Sequence, residues 1–501
     1  MNTLMMKPRR ALTSVVASSL LLAACAGSID NNLAQAAEPW PPVWQDAPAQ
    51  PDDAPPSFVA PSATSCHRLP ALREVPGGQN PRVLRRSDRF ERDDVRREAK
   101  SATGALADSA RERATPAAPA DKPAAETGAA FAPAPPWPSA PQPAPQAVAP
   151  RPARETVTAG MVDDNADFGE YLAYRQRNGG LPVRDRDISE RYLLEVTDAQ
   201  GFPVHDAEVA VQRAGVAQPL MWARTDTGGR VWLHPRAFLS QGMQAERTLG
   251  VAVRKNGVQG RALLQRGQAQ AVQVRLGQFD AVQRPRLDLV FLVDATGSMG
   301  DEIAKLKASM HAMAQQIARL PAQPDVCYGL VAYRDRGDAF LTRTQDFTDD
   351  LGAFQQVLGQ VQANGGGDTP EALNEALHEV VHGMSWRRDA ARMVVLVADA
   401  PPHLDYGGPQ YDVDMQAALA KGIKLFAVGA SGLDPVGEYI YRQMAQYTAG
   451  RFVFLTYRDA SDPSSGPGTQ TTHDVKQYSV QTLDRLVVKL VGDELAKLKR
   501  G

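Results

Sequence analysis

The carboxy-terminal part of this sequence predicts an α/β domain with a doubly wound, mostly parallel sheet. The segments "LDLVFLV", "VCYGLVAY", "MVVLVA", "KLFAVGA" and "FVFLTY", between Leu287 and Tyr457, are short continuous apolar runs. Such runs are expected of strands covered on both faces. Helix-period segments lie between most of them. Ile303, Leu306, Met310, Met313, Ile317 and Leu320 form one stripe, and Leu483, Leu486, Val487, Leu490 and Leu495 form another. Strands alternating with helices give a doubly wound sheet whose ligand site lies beyond the carboxyl ends of the strands.

Residues 188–277 follow a different period. "RYLLEVTDAQGFPVHDAEVAVQRAG" and "PLMWARTDTGGRVWLHPRAF" alternate apolar and polar residues around turns at Ala199-Gln200-Gly201 and Asp226-Thr227-Gly228-Gly229. A third turn is expected at Asn256-Gly257. This reads as antiparallel sheet, and it resembles the immunoglobulin-like β-sandwiches appended to secreted enzymes and surface proteins. The segment offers no chemistry, so a spacer or lateral binding surface is the expected role.

The amino-terminal end reads as targeting sequence. A basic start, "MNTLMMKPRR", precedes the apolar run "ALTSVVASSLLLAAC". That run is too short for a transmembrane helix, so residues 1–24 are expected to be a signal peptide. Leu22-Ala23-Ala24-Cys25 resembles the bacterial lipobox. The resemblance implies acylation of Cys25, of the palmitate type, and a membrane anchor made stable by more than one acyl chain. Ala26 in place of Asp implies the outer membrane rather than the inner. Residues 25–160 are rich in Pro and Ala, as in "PWPPVWQDAPAQPDDAPPS" and "APAPPWPSAPQPAPQAVAPRPA". They bury too little apolar surface to offset chain entropy. A disordered tether is expected, with a coil span of ~65 Å. The charged run "RRSDRFERDDVRREAK" is expected to be solvated. Trp40, Trp44 and Trp137 have no assigned role.

The 501 residues allow two or three domains. A net charge of −2 gives no reason to expect nucleic acid as a partner. Three cysteines are too few for a disulfide framework. Cys66–Cys327 pairing is conceivable in an oxidising compartment, but a buried Cys327 and a solvated Cys66 are the preferred reading.

The candidate chemistry lies at the ends of the apolar runs. Asp294 closes "LDLVFLVD", and Thr296 and Ser298 follow at spacing two before a helix. "NGGGDTPEAL", residues 364–373, enters a second helix, and Asp399 ends another strand in "LVADAPPHLD". Carboxylates and hydroxyls without thiolate or a histidine pair are hard donors suited to Mg²⁺, Ca²⁺ or Mn²⁺ rather than zinc. Few charges among them would leave the cation short of neutralisation and open to an external carboxylate.

"DATGSM", "GGGDTPEAL" and "VADAPPH", in this order, resemble the metal-ion-dependent adhesion site of von Willebrand factor type A (VWA) domains, which have a Rossmann-like fold. The similarity covers about residues 284–500. It implies that Asp294, Thr296 and Ser298 match the family's Asp-x-Ser-x-Ser loop, with Thr in place of the first Ser, and that Asp399 matches the third-loop aspartate. Asp368 and Thr369 stand side by side where the family has one threonine, so either is a candidate ligand.

Other polar groups are expected to be structural. His403 and Asp405 read as rim residues or a loop hydrogen bond. Arg336-Gly337-Asp338 reads as a turn between strands. His378 and His382, four apart without an HExxH pattern, read as surface or helix-end residues. Neither a phosphate-binding Gly-x-x-x-x-Gly-Lys-Ser/Thr loop nor a Gly-x-Ser-x-Gly elbow is present, so an enzyme is not expected. Two functions remain. One is a metal-dependent adhesion-type module of an envelope lipoprotein, most simply with Mg²⁺ and an acidic residue of a protein partner. The other is an envelope scaffold whose metal only stabilises the fold.

Overall fold

The computed structural model describes Cys66, residues 72–78 and residues 157–498, apart from 214, 215, 217 and 368. The expected signal peptide, Cys25, the three tether tryptophans and the charged run all lie outside the described residues.

Two strands come from the stretch read as tether. Strand β1 (Leu72–Val75) and strand β2 (Thr158–Val162) are both built into the main sheet, so residues 72–75 and 158–160 are corrections to the 25–160 boundary. Helix α1 (Phe168–Arg177) follows, with the Asp167 side chain accepting from Glu170 N–H at its start.

The alternating segment forms β3 (Tyr192–Thr197), β4 (Glu208–Arg213), β5 (Pro219–Arg224), β6 (Arg230–Leu233), β7 (Thr248–Lys255), β8 (Val258–Gln265) and β9 (Val272–Arg275). They make a three-stranded sheet, β6-β3-β9, and a four-stranded sheet, β5-β4-β7-β8. Asn256 and Gly257, both at positive φ, close the β7–β8 hairpin as a two-residue turn. One pairing departs from expectation: β3 and β9 run parallel, Leu194 opposite Val272 and Val196 opposite Val274.

The α/β unit continues with β10 (Arg286–Asp294), α2 (Ile303–Ile317), β11 (Asp325–Tyr333), β12 (Thr342–Thr348), α3 (Leu351–Gln360) and α4 (Leu373–His378). Helix α4 runs directly into one π turn, Glu379–Gly383. Then come β13 (Ala390–Ala398), α5 (Tyr411–Ala420), β14 (Ile423–Gly429), α6 (Pro435–Tyr447), β15 (Arg451–Asp459), β16 (Asp462–Pro467), β17 (Ser479–Thr482) and α7 (Leu483–Ala496). The path through the sheet is β1-β12-β11-β10-β13-β14-β15-β2-β17, with β16 on β15. The centre, β11 to β15, is parallel. Both flanks are antiparallel.

Alternation along β10 sorts the two cores. Leu287, Leu289, Phe291 and Val293 pack with Leu306, Met310 and Met313 of α2 and Leu486 and Val487 of α7. Val290 and Leu292 face the other way, into a core shared with α4, α5, α6 and the two smaller sheets. That shared core joins residues 188–277 to the α/β unit. Buried charges cross the same boundary. Arg392 Nη1 lies 2.8 Å from Asp206 Oδ1, and Lys424 Nζ lies 2.8 Å from Asp226 Oδ2 and 2.9 Å from Glu494 Oε1. Burial would raise the Asp206 carboxyl, but Arg392 and Arg224 outweigh it and hold the group well below its usual range. Among the described residues no helix is long and apolar enough to cross a membrane.

Cys66 and Cys327 form a disulfide, with Cα atoms 6.0 Å apart and 261 residues between them in sequence. This corrects the preferred reading of a solvated Cys66, whose residue is in fact buried. The bridge fastens the chain ahead of β1 to β11, and β1 then covers the edge of β12. Reduction of the denatured protein is expected to expose two additional thiols, read by a thiol-reactive chromophore. Cys66→Ser is expected to lower stability by about 2–4 kcal/mol in chemical denaturation. No gain of thiols on reduction would rule the bridge out.

Candidate metal centre

The strand order reverses at β10. Its followers β11 and β12 lie on one side, and β13, β14 and β15 on the other. Asp294 ends β10 and Asp399 follows β13, so both acids stand at the crevice where such a reversal opens.

Asp294 is fully buried. Its Oδ1 accepts from Thr296 N–H at 2.9 Å and from Thr296 Oγ1 at 2.6 Å. Thr296 Oγ1 is also 3.1 Å from Ser298 Oγ. Thr296 is buried while Ser298 is exposed, so the loop leads from the core to the surface. Among the described residues Asp294 Oδ2 has no hydrogen-bond partner, nor does Asp399 Oδ1.

The middle loop lies against this strand end. Gly297 N–H donates to Gly365 O at 3.0 Å, and Asn364 N–H to Ala295 O at 3.0 Å. Gly366 is at φ +78°, and a Cβ there would sit 2.8 Å from Glu371 Oε1 and 3.2 Å from Thr296 Cβ. Only glycine allows that approach. Thr369 is exposed, and among the described residues no hydrogen bond ties it to Asp294, Thr296, Ser298 or Asp399. Asp368 lies outside the described residues. The third loop is held by Tyr441 Oη donating to Ala400 O at 2.7 Å, and by backbone bonds from Glu371 N–H to Pro401 O and from His403 N–H to Glu371 O.

Two acids near the site, Glu371 and Asp335, were missed by the sequence reading, and a third, Asp338, was read only as part of a turn. Glu371, after Pro370, is 3% exposed, and among the described residues its Oε2 has no partner. Asp335, two residues beyond β11, is fully buried and accepts from Tyr406 Oη at 2.8 and 2.9 Å. Asp338 accepts from Asp335 N–H at 3.0 Å and Gly366 N–H at 2.8 Å. The Arg336-Gly337-Asp338 tripeptide is therefore a turn, as read, and its acid clamps the glycine loop. A strand-end acid was the signal available for Asp335; Glu371 carried none. His403 and Asp405 make the expected loop hydrogen bond, Nδ1 to Oδ1 at 3.1 Å, but His403 is buried rather than at a rim.

The expectation of few charges thus changes. Burial and the neighbouring Asp399 push the Asp294 carboxyl up to about 7. Burial, with Asp294 and Asp335 next, pushes Glu371 up to about 10. Burial also raises Asp399, partly countered by the Ser298 hydroxyl. These acids repel one another in a poorly solvated crevice. Oxygen donors with unsatisfied buried atoms and mutual repulsion fit a hard divalent cation.

Comparison with known proteins places these loops in a family. Residues 288–461 match the profile of the von Willebrand factor type A domain, so a VWA domain is present there. Such domains are generally protein-interaction modules and commonly bind a divalent ion at the metal-ion-dependent adhesion site. A segment is 30% identical over 119 residues to "Alpha-protein kinase vwkA" of Dictyostelium discoideum, covering 23% of this chain and 19% of that protein. Another is 38% identical over 93 residues to "von Willebrand factor A domain-containing protein 7" of Mus musculus, covering 19% of this chain and 10% of that protein. The chain thus spans a fifth or less of these relatives' lengths. A solved structure titled "conserved hypothetical protein BatB" from Bacteroides thetaiotaomicron aligns over 42% of this chain and 98% of its own, at 14% identity and a TM-score of 0.29.

A pH dependence follows from the raised carboxyls. The folded state holds protons on Asp294 and Glu371 that the unfolded chain, with ordinary values of 3.8 and 4.5, releases earlier. Stability in chelator is therefore full below about pH 4 with respect to these groups, and is lost as pH rises through about 7 and then about 10. Melting temperatures in chelator should decline across that window. Saturating Mg²⁺ should flatten the decline, because it favours the ionised carboxylates. Identical slopes with and without Mg²⁺ would argue against a cation at these acids.

Proposed function

We propose that the VWA domain is a metal-dependent protein-binding module of an envelope lipoprotein, recognising an acidic side chain of its partner. The observation that carries this reading is the pair of buried, unsatisfied oxygens, Asp294 Oδ2 and Asp399 Oδ1, beside an exposed Ser298 hydroxyl at the switch-point crevice. Asp294, Thr296, Ser298, Asp399 and one of Asp368 or Thr369 would hold the ion. Its hard oxygen donors favour Mg²⁺, with Ca²⁺ or Mn²⁺ as alternatives. Bound there, the ion would supply an electrophilic position for a partner's carboxylate.

The residues around it do the rest. β10, buried from Leu287 onward, fixes Asp294 rigidly, and Thr296 orients its carboxylate through two hydrogen bonds. Glu371, held protonated near neutral pH by its surroundings, adds little charge before a cation arrives. The proposal is of a binding protein rather than an enzyme. The disulfide supports an exported chain, since such bridges persist in oxidising compartments. Anchoring through Cys25 in the outer membrane belongs to the same proposal.

The scaffold reading draws support from the core shared by the α/β unit and the smaller sheets. One experiment separates the two. Asp294→Ala is expected to abolish Mg²⁺ or Mn²⁺ binding in calorimetry and cation-dependent capture of the partner, with cooperative unfolding retained. Thr296→Ser, which keeps the hydroxyl, should change little. Parallel loss of folding in Asp294→Ala would favour the scaffold, and unchanged cation binding would remove the site.

A further inference from the structure

A second constellation lies at the other end of α4. His378 is the last residue of that helix, and His382 lies within the π turn that follows. Their rings are 4.4 Å apart. Both face one carboxylate, that of Asp414 in the first turn of α5. His378 Nδ1 is 3.1 Å from Asp414 Oδ1 and 3.3 Å from Oδ2, and His382 Nε2 is 3.0 Å from Oδ1. We propose that His378, His382 and Asp414 form a second cation site, distinct from the strand-end oxygens, that takes a divalent transition metal, zinc foremost.

The donor chemistry differs in kind from the first site. Two imidazoles and one carboxylate suit zinc, copper, nickel or iron, whereas Mg²⁺ and Ca²⁺ prefer oxygen alone. The spacing fits as well. Ligands at zinc distances of about 2.0–2.2 Å in a tetrahedron stand about 3.3 Å from one another. The three donor atoms already lie within 4.8 Å of one another, with both nitrogens 3.0–3.1 Å from Asp414 Oδ1.

The charge arrangement points the same way. The Asp414 side chain is 3% exposed, and among the described residues its ion-pair partners are the two histidines. The nearby cations are directed elsewhere. Lys421 Nζ donates to Val381 O at 2.8 Å, and Arg73 donates to Glu379 and to Gly383 O. A buried carboxylate requires compensation, and a metal held between it and the two imidazoles supplies it. The histidine side chains are 48% and 41% exposed, so an ion can enter without the core opening. Three protein ligands then leave a fourth position toward solvent.

The backbone prepares the pair. Histidines four apart share a helix face, and the wider π turn brings successive turns closer to one line, a departure often found at functional sites. Arg73, on β1, holds that turn through Glu379 Oε1 at 2.6 Å and Gly383 O at 2.8 Å.

The test uses the full chain, stripped with chelator and titrated with Zn²⁺ against a chromophoric competitor near neutral pH. One zinc per chain is expected, unaffected by millimolar Mg²⁺ and retained in Asp294→Ala. The double variant His378→Ala/His382→Ala should weaken it at least ~100-fold, since loss of even an outer partner of a ligand costs 10–100-fold. Both histidines are half exposed, so this variant should fold, as circular dichroism would show; Asp414→Asn is the second variant. Co²⁺ in place of Zn²⁺ should give the visible absorption of a tetrahedral nitrogen–oxygen set in the native chain and in Asp294→Ala, but not in the double variant. Zinc binding that is equal with and without the histidines, or absent in the native chain, would reduce the cluster to histidine–aspartate hydrogen bonds and overturn the proposal.

Discussion

The burial of Asp294 at the end of a central strand is the constraint around which the rest of the site is arranged. A carboxylate there is shut away from bulk solvent, and among the described residues Thr296 satisfies only one of its oxygens. The remaining charge must be met by a proton or by a cation. Everything nearby sharpens that choice. The strand-order reversal brings Asp399 to the same crevice, the glycine loop closes over Thr296, and Glu371 and Asp335 add further acids. The pressure toward protonation and the affinity for a hard cation are two descriptions of one electrostatic cost.

Such a cost is tolerable only on a stiff frame. β10 is paired on both sides by parallel strands, in register over nearly its whole length, so it cannot shift to relieve the repulsion. Behind it, Arg387 Nε meets Asp288 Oδ1 at 2.6 Å in full burial. The smaller sheets add to the frame, through the Asp206–Arg392 and Lys424–Asp226–Glu494 contacts and the apolar core they share with the α/β unit. Breaking one partner of a buried pair typically costs about 3–5 kcal/mol. The spacer reading of residues 188–277 therefore understates their part: they brace the sheet that holds the site.

The sequence showed most of what is repetitive and little of what is brought together from afar. Continuous apolar runs exposed β10, β11, β13, β14 and β15, because strands buried on both faces carry no polar interruptions. β1 and β2 were hidden, since four or five residues of ordinary polarity inside a Pro/Ala-rich stretch carry no periodic signal. Asp294, Thr296 and Ser298 were legible from their alternate spacing at a strand end. Glu371 was not, because a lone acid after Pro370 looks like any helix-start residue until burial removes its solvent. The Cys66–Cys327 bridge depended on β1 docking at the sheet edge, a pairing no local pattern announces. His378 and His382 were noticed and set aside because they lack an HExxH pattern, and Asp414, 32 residues beyond His382 in sequence, is the group that only the packing of α5 on α4 supplies.

That packing gives the two constellations a mechanical relation. Helix α4 begins beside Glu371 and the glycine loop and ends at the histidine pair; α5 follows the loop of Asp399 and carries Asp414 in its first turn. Asn374 on α4 ties the two starts together, donating to His403 O at 2.6 Å and accepting from Tyr411 N–H at 2.8 Å. An ion held between His378, His382 and Asp414 would fix the spacing of these helices. Since the helices in turn carry the middle and third loops, that spacing bears on where Glu371 and Asp399 stand relative to Asp294. The β1 strand enters the same relation through Arg73, which grips the π turn from the far edge of the sheet. The segment ahead of the α/β unit, the histidine-bearing turn and the strand-end acids are thus linked by contacts short enough to transmit a change in position.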